Sequence, residues 1–442
     1  MHGDRATGKT RGRVGQSVLT PPTVFSRIGG TLHGEGVPFD VLAAAVGTPL
    51  YAYCSASIAS QFALLDAALS PVPHRIHYAC KANGNLAVLR LLRTLGACAD
   101  VVSGGELYRA TAAGFTSADI IFGGVGKSAA ELAEALSAGV HLISVESEAE
   151  LRLVNAMARE RDMVARVGLR VNPEIAVESF HDYIKTGEKG DKFGVPYDQA
   201  HAIGQRARTL PNVRLVAVGM HIGSQLAQVD VYREALIRLE RLVGGLRGAG
   251  VDSLEHVDIG GGLYVPYNGE PPADLSAYAA LVIPMVKRLG LALIVEPGRF
   301  LVAESGVLLT RVLYRKRSGG RELLVTDAGM ADLLRPSHYD AYHRIVGVHE
   351  ATQLGTFDVV GPICESGDFL AIAREMDDVE AGALLCVCTT GAYGYSMASN
   401  YNARPRAAEV MIDGDRWAVV TARETYEDLI RRETSPPQWR TT

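Results

Sequence analysis

The sequence predicts a TIM-like (β/α)8 barrel followed by a mostly antiparallel β domain, and three observations support this. Short apolar runs alternate with amphipathic segments from about residue 48 to about residue 300, which is the pattern of repeated βα units. After residue 300, β-branched and alternating runs are separated by Gly, Asp and Pro. Distinctive polar residues stand where the apolar runs end. A doubly wound sheet is the alternative, because periodicity does not show whether a sheet closes.

Eight apolar runs are the candidate barrel strands. Parallel strands need crossovers of about a dozen residues, which amphipathic segments such as Leu86–Leu95, Ala129–Ala138 and Tyr232–Arg247 supply. The candidate strands are Ile76–Lys81, Cys98–Ser103, Ile120–Gly124, Leu142–Glu146, Val164–Asn172, Leu215–Ser224, His256–Gly262 and Leu291–Glu296.

The C-terminal part is predicted to form a β-sandwich or β-barrel domain, to which Ile28–Pro38 adds strands. The expected division is a disordered tail at 1–23, N-terminal strands at 24–47, the barrel at 48–304 and the β domain at 305–442. The predicted β-domain strands are Gly306–Tyr314, Arg321–Thr326, Thr356–Val360, Leu384–Thr389 and Trp417–Ala422.

Composition is typical of a globular protein that remains in the cytoplasm. The 442 residues are 48% hydrophobic and 21% charged, and the formal net charge of −5 argues against nucleic acid as a partner. No apolar run is long enough to span a membrane, and the first 23 residues lack the apolar segment of a signal peptide. The six cysteines fit neither a disulfide framework nor a zinc pattern.

Polar residues end six of the eight candidate strands, where barrel enzymes place their active sites. Lys81 is the most informative of them, because an enclosed lysine amine can act as a nucleophile when its pKa is lowered. A single lysine at a strand end is usually a surface residue, so the argument depends on the whole set. The other members are Asp100, Ser103, Arg170, Asn172, His221, Ser224, Gly260–Gly262 and Glu296–Arg299.

The last barrel strands carry features of a phosphate site and a ring site. Gly260–Gly262 lets backbone N–H groups approach an anion, and Ser224 and Arg299 add donors. His221 could stack on a flat ring or fill the core; no second ligand at helical spacing supports a metal. Glu296 could hold a pyridinium nitrogen protonated, which favours a decarboxylase over a racemase.

Three segments of the second half suit a charged substrate. Arg335 and Tyr339 follow one another closely, Cys364 and Glu365 lie in a glycine-rich loop, and Tyr393 lies in an aromatic loop. Arg299 and Arg335 could bind a carboxylate as a fork, and Glu365 could pair with an ammonium group. This combination predicts a substrate with an amino-acid group at each end.

Taken in order, the motifs resemble the bacterial diaminopimelate decarboxylases, which belong with ornithine decarboxylase in the alanine-racemase-like PLP group. The resemblance covers about residues 28 to 425. The motifs are Y-A-C-K-A-N-G-N, D-V-V-S-G-G-E-L, K-F-G, H-I-G-S-Q, D-I-G-G-G, E-P-G-R, C-E-S-G-D and S-N-Y-N-A-R-P-R.

The resemblance implies a barrel that binds pyridoxal 5′-phosphate (PLP), a homodimer with shared active sites, and decarboxylation of meso-2,6-diaminopimelate to L-lysine. It implies that Lys81 binds PLP covalently, His221 stacks on its ring and Glu296 contacts the ring nitrogen. The partner chain's copy of Cys364 would protonate the α-carbon. Remaining implied roles are phosphate binding for Ser224, Gly260, Gly261, Gly262, Gly298, Arg299 and Tyr393, cofactor orientation for Asp100 and Arg170, and substrate binding for Arg299, Arg335, Tyr339, Glu365 and Tyr393.

The sequence departs from the family pattern in two places and leaves three other functions open. Lys185 stands where the family usually has serine, and the tail before Phe25 matches nothing in the family. A sister decarboxylase of ornithine, lysine or a carrier-bound amino acid would lack the paired arginines and Glu365. A racemase would have arginine at 296 and a tyrosine base, and a non-catalytic regulatory homologue would have lost Lys81 or Cys364.

Overall fold

A closed parallel barrel and a nine-stranded mixed sheet dominate the fold. The structure, a computed structural model, describes residues 25–175, 187–433 and 435–440. The predicted tail at 1–23 and the departure at Lys185 lie outside these residues. The described strands are β1 Phe25–Ile28, β2 Thr31–Gly34, β3 Val37–Pro38, β4 Leu50–Cys54, β5 His74–Ala79, β6 Cys98–Val101, β7 Ile120–Phe122, β8 Leu142–Val145, β9 Ala165–Asn172, β10 Val195–Pro196, β11 Val213–Met220, β12 His256–Asp258, β13 Ala292–Val295, β14 Gly306–Ser318, β15 Arg321–Thr326, β16 Ile345–Gly347, β17 Leu354–Val360, β18 Phe369–Asp377, β19 Leu384–Val387, β20 Ala408–Asp413 and β21 Arg416–Thr421.

Helices follow the barrel strands and cover the outside of the barrel. None of the helices in the described part of the chain combines the length and the apolar character of a membrane span. The helices are α1 Phe39–Val46, α2 Ser55–Leu69, α3 Leu86–Thr94, α4 Gly104–Ala113, α5 Ala129–Ala138, α6 Glu148–Glu160, α7 Tyr197–Ala207, α8 Asp230–Gly248, α9 Leu275–Leu289, α10 Arg299–Val302, α11 Arg335–Tyr339 and α12 Tyr426–Ile430.

The barrel closes, which confirms the predicted fold and excludes the doubly wound alternative. Parallel pairing runs from β5 through β6, β7, β8, β9, β11, β12 and β13 and returns to β5. All eight predicted runs are strands of this barrel. Because every strand is parallel, all carboxyl ends meet at one rim.

Side-chain caps fix the short turns between the barrel strands and the helices that follow them. Ser103, Ser128 and Ser147 each accept a hydrogen bond from a backbone N–H in the first turn of α4, α5 and α6. Such caps satisfy N–H groups that have no partner within the helix. Asn85 caps α3 in the same way, directly after the turn that carries Lys81. The polar strand ends are therefore held rigidly at the rim.

The second sheet is mostly antiparallel, as predicted, and its main path is β18-β17-β15-β14-β4-β20-β21. Only the β15–β17 and β4–β20 pairs are parallel. The strand β4 belongs to this sheet, although the sequence analysis assigned everything from residue 48 to the barrel. Every residue of β4 is buried, and a fully apolar run does not reveal which sheet it joins. The strands β1–β3 form a separate small sheet, which Arg27 links to the β domain by hydrogen bonds to Gly347 and Val348.

The β domain contacts the barrel next to Lys81. The Asn83 side chain donates to the carbonyl of Gly391 at 3.1 Å, and the Tyr393 N–H donates to the carbonyl of Ala82 at 2.8 Å. The Gly391 N–H in turn donates to the carbonyl of Ala303 at 3.0 Å. These bonds place the aromatic loop of the β domain over the carboxyl end of β5.

We expect Gly391→Ala to lower the thermal unfolding midpoint, because a Cβ at this position would overlap the Val302 carbonyl oxygen. Overpacking of this kind costs about 1–3 kcal/mol. Gly126→Ala is the matched control, since Gly126 is exposed and its Cβ would have no atom within 4 Å. Melting curves for both variants test the prediction, and equal midpoints would contradict it.

Candidate active site

A cavity of about 430 Å³ opens at the carboxyl ends of the barrel strands, between the barrel and the β domain. Its walls combine residues from both parts of the chain, so the site depends on how the two parts pack. The predicted site residues that line it are Lys81, Asp100, Arg170, His221, Ser224, Gly262, Glu296, Gly298, Arg299, Arg335, Tyr339 and Tyr393.

Lys81 projects into this cavity from a single helical turn, Cys80–Ala82, that directly follows β5. The turn is fixed because the Tyr78 hydroxyl donates to the carbonyl of Asn83 at 2.9 Å. The Asn83 side chain also accepts from the Asn85 N–H at 3.0 Å. Lys81 lines the cavity and is accessible to solvent.

Three carboxyl groups lie near Lys81 at the mouth of the barrel. Burial first, and then Glu296, raise the pKa of Asp100 to about 7, although Lys81 and Arg170 act in the opposite direction. Burial and the nearby Asp258 raise the pKa of Glu296 to about 8, and burial raises the pKa of Asp258 to about 6. Asp258 and Glu296 are hydrogen-bonded to each other through their side chains, so this pair shares a proton at neutral pH.

Asp100 and Glu296, together with Tyr393, hold the pKa of Lys81 above its ordinary value. Burial alone lowers the pKa, but Asp100, Tyr393 and Glu296 together outweigh it. The structure therefore does not show the lowered pKa that was expected for Lys81 as a nucleophile. The amine is held as an ammonium ion, and it becomes a nucleophile only when a proton leaves.

His221 presents a neutral imidazole to the cavity. Burial, followed by Arg170 and Lys81, holds its pKa well below the ordinary range. The Gly261 N–H donates to Nδ1 at 3.1 Å, so this nitrogen carries the lone pair. A neutral ring with a fixed tautomer can stack on another flat ring. Within the described residues, no group of three or more His, Cys, Asp or Glu side chains is arranged to hold a metal ion.

The glycine loop is more engaged with protein than the sequence suggested. The Gly260 N–H donates to Asp258 at 2.8 Å, and the Gly261 N–H is used by His221. Of the three glycines, Gly262 lines the cavity. A Cβ on Gly260 would lie 2.5 Å from Nδ1 of His221, which explains the need for glycine there. A phosphate-binding role for this loop stays a prediction.

Arg170 is oriented from outside the cavity. It pairs with Glu146 at 3.3 Å and lies over the ring of Phe193 at 5.2 Å. The other carboxylate oxygen of Glu146 accepts from the Gly194 N–H at 2.8 Å. The K-F-G motif thus anchors the arginine that faces the acidic group.

Two buried arginines, Arg299 and Arg335, also line the cavity. Arg299 donates to the Tyr267 hydroxyl at 3.0 Å and to Ser224 at 3.3 Å, and it lies over the ring of Tyr393 at 4.8 Å. Arg335 donates to the same Tyr267 oxygen at 3.0 Å. No carboxylate pairs with either arginine among the described residues, and the Nε atoms of both are buried without a hydrogen-bond partner. This part of the site is suited to an anion.

Cys364 and Glu365 are not brought into the cavity by their own chain. Cys364 is exposed, and its N–H donates to the side chain of Asn402 at 3.0 Å. Glu365 forms a side-chain hydrogen bond with the exposed Tyr401. The five other cysteines are buried.

Sequence reasoning missed Asp258, Tyr267 and Glu146 as parts of the site. Asp258 begins the D-I-G-G-G motif, and its position at the end of a strand was a usable signal. Glu146 ends a predicted strand in the same way. Tyr267 lies in a polar loop and carried no signal, because its importance arises only from the two arginines that meet it.

We expect the acidic pair to make ligand-free protein less stable as pH rises. The folded pKa of Glu296, about 8, lies above its ordinary value near 4.5, so the stabilising protonated form is lost as pH rises through the folded pKa. Glutamine cannot lose a proton, so the stability of Glu296→Gln relative to wild type should increase between pH 5 and pH 8.5.

Denaturant midpoints of both proteins across this pH range measure the difference. Glu240→Gln is the control, because Arg288 lowers the pKa of Glu240 through a side-chain hydrogen bond and its contribution is constant above neutral pH. A flat difference for Glu296→Gln would contradict the assignment.

Comparisons with known proteins agree with this geometry. Residues 55–303 match the model of the pyridoxal-dependent decarboxylase family, pyridoxal binding domain. A diaminopimelate decarboxylase from Pseudomonas fluorescens is 43% identical over 94% of this chain and 99% of the relative. One from Neisseria meningitidis is 44% identical over 91% of this chain and 99% of the relative. The crystal structure of diaminopimelate decarboxylase from Helicobacter pylori with L-lysine is 39% identical, has a TM-score of 0.86, and covers 89% of this chain and 99% of its own. The chain belongs to the diaminopimelate decarboxylase family of pyridoxal-dependent decarboxylases.

Proposed function

We propose that this protein removes CO2 from meso-2,6-diaminopimelate and releases L-lysine, the last step of lysine biosynthesis, with PLP as cofactor. The observation that carries the proposal is one cavity that is lined by Lys81, by the carboxyl groups of Asp100 and Glu296 and by the guanidinium groups of Arg299 and Arg335. A ligand with both a cationic group and an anionic group matches this mixed lining. Family membership supports the same chemistry.

The residues present fit PLP. A neutral His221 suits the face of a pyridine ring, and Glu296 suits its nitrogen. The buried Nε of Arg299 has no hydrogen-bond partner among the described residues, and Arg299 lines the cavity together with Ser224 and Gly262, so these residues suit the phosphate group. When bound, PLP supplies an electron sink that accepts the electron pair left on the α-carbon after CO2 departs.

Lys81 would hold the cofactor through its amine, and Asp100 and Arg170 would orient it. Glu296 would lie beside the ring nitrogen; the positive charge of the protonated nitrogen would lower the cost of ionising Glu296, and the ionised carboxylate would keep the nitrogen protonated. The proposed phosphate contacts are Ser224, Gly260, Gly261, Gly262, Gly298, Arg299 and Tyr393.

The distal end of the substrate would be read by Arg299, Arg335, Tyr339, Tyr393 and Glu365. Arg335 binds the carboxylate and Glu365 the ammonium group, which favours a diacid over ornithine or lysine. Cys364 would donate the thiol proton to the α-carbon. Because Cys364 and Glu365 lie outside their own chain's cavity, they would act in the partner's site, within a homodimer with two shared active sites.

We expect the wild-type protein with PLP to release CO2 from meso-diaminopimelate and not from ornithine or lysine. Lys81→Ala should abolish turnover and the visible absorbance of the lysine-bound cofactor, because the covalent link is lost. Carbon dioxide release and absorbance spectra measure both effects. An active, yellow Lys81→Ala protein would contradict the role of Lys81, and preference for a diamino monoacid would contradict the proposed substrate.

A mixing experiment tests the shared sites. Lys81→Ala and Cys364→Ala proteins should each form little L-lysine alone, but reassociated mixtures should recover roughly a quarter of wild-type activity, since half of the dimers then contain one intact site. L-lysine formation after mixing and reassociation is the measurement. Mixing two batches of the same variant is the control, and no recovery in the mixed sample would exclude sites built from two chains.

A further inference from the structure

Tyr267 connects the two arginines of the cavity through one atom. Its hydroxyl oxygen accepts from Nη1 of Arg299 and from Nη1 of Arg335, each at 3.0 Å. Arg299 begins α10 at the end of the barrel, whereas Arg335 begins α11 of the β domain. Tyr267 therefore sets the spacing between a barrel cation and a β-domain cation.

Tyr267 itself is held from several sides. The Glu270 side chain accepts from the N–H groups of Tyr267 and Asn268 at 3.0 Å and 2.7 Å, which fixes the turn. The Tyr267 ring packs edge-on against His343 with centroids 5.1 Å apart, and Arg335 lies over its face at 4.9 Å. The phenol oxygen cannot shift without disturbing these contacts.

The charges explain why an acceptor is needed there. Arg299 and Arg335 are only 7% and 6% exposed, and their bonds to one oxygen place two positive groups within about 6 Å of each other. Within the described residues neither has a carboxylate partner. Burial raises the pKa of Tyr267, but Arg335 and Arg299 outweigh burial and lower the pKa, as expected for an oxygen that faces two cations.

The hydrogen bonds that Arg335 already donates indicate which of its N–H groups remain for a ligand. Nη1 donates to Tyr267 and also to Nε2 of His343 at 2.9 Å. His343 accepts there because its Nδ1 donates to the carbonyl of Cys388 at 2.9 Å, and burial keeps its pKa well below the ordinary range. With Nη1 occupied by two acceptors, Nε and Nη2 remain for a ligand, and Nε is buried without a hydrogen-bond partner in the described part of the chain.

We propose that Tyr267 is a positioning residue for substrate specificity, which fixes Arg335 at the separation from Arg299 where it binds the distal carboxylate of the substrate. The inference rests on the proposed function, because it takes the diacid as the substrate. Arg299 then remains available for the phosphate end, and the shared oxygen prevents the two arginines from moving apart. Loss of this oxygen would weaken recognition of the carboxylate and leave the covalent chemistry at Lys81 intact.

The test compares two ligands that differ by one carboxylate. L-lysine retains the distal amino-acid group, and cadaverine has the same five-carbon chain without the carboxylate. For Tyr267→Phe with PLP bound, we expect the Kd of L-lysine to rise about 10- to 100-fold and that of cadaverine to stay within about threefold, since a charge-assisted hydrogen bond network is lost. For meso-diaminopimelate, KM should rise by a similar factor while kcat changes little.

Tyr108→Phe is the matched control, because Tyr108 is 77% exposed. Cofactor absorbance and melting midpoints establish that all variants are folded and loaded. If Tyr267 acts through Arg335, Tyr267→Phe should have no further effect on L-lysine affinity in an Arg335→Met background.

Unchanged L-lysine affinity in Tyr267→Phe, equal losses for both ligands, or additive losses in the double variant would each overturn the inference. A wild-type protein that releases no CO2 from meso-diaminopimelate would instead overturn the proposed function. The two failures are distinguishable, because one is measured on the wild type and the other on the variants.

Discussion

Neutralisation of charge at the mouth of the barrel is the constraint on which the site depends. Asp100, Asp258 and Glu296 share a small enclosed space with Lys81 and Arg170. Unbalanced charge in such a space is costly, so the carboxyl groups retain protons at unusually high pH. These protonated carboxyl groups can therefore lose protons when a cation binds beside them. In the proposed function, the protonated ring nitrogen of PLP beside Glu296 would be such a cation, which would link cofactor binding to the protonation state of the three carboxyl groups.

The two arginines that line the cavity raise the opposite electrostatic problem, because they are cations that need an anion or another acceptor. Arg299 and Arg335 are buried cations, and the Tyr267 oxygen is the acceptor they share among the described residues. The cavity is therefore lined both by carboxyl groups that retain protons and by two arginines whose Nε atoms have no hydrogen-bond partner within the residues that the structure describes. In the proposed function, PLP and a diamino diacid each carry groups of both charges, so both would find partners in this cavity.

The sequence predicted the barrel and its rim because both follow from local pattern. Parallel strands buried on two faces read as apolar runs, and the residue that ends each run lies at the rim whatever the details of packing. Lys81, Asp100 and Glu296 were found in this way. The pairing of β4 and the role of Tyr267 were not predictable, because each depends on contacts between distant parts of the chain. Tyr267 and Arg335 are 68 residues apart, and the sequence around each residue does not indicate that their side chains are hydrogen-bonded.

Hydrogen bonds within the chain hold the loop that carries Cys364. Asp368 accepts hydrogen bonds from the N–H groups of Ile363 and Met330, and the backbone of Cys364 is fixed by Asn402. When binding must order a flexible loop, part of the binding free energy is lost to that ordering. Binding to a preformed loop avoids this loss. In the proposed homodimer, the thiol would therefore be delivered to the neighbouring cavity by a surface that is already in shape. A proton donor on such a loop would separate two requirements, because one chain would enclose the cofactor and its charges while the other would supply the acid.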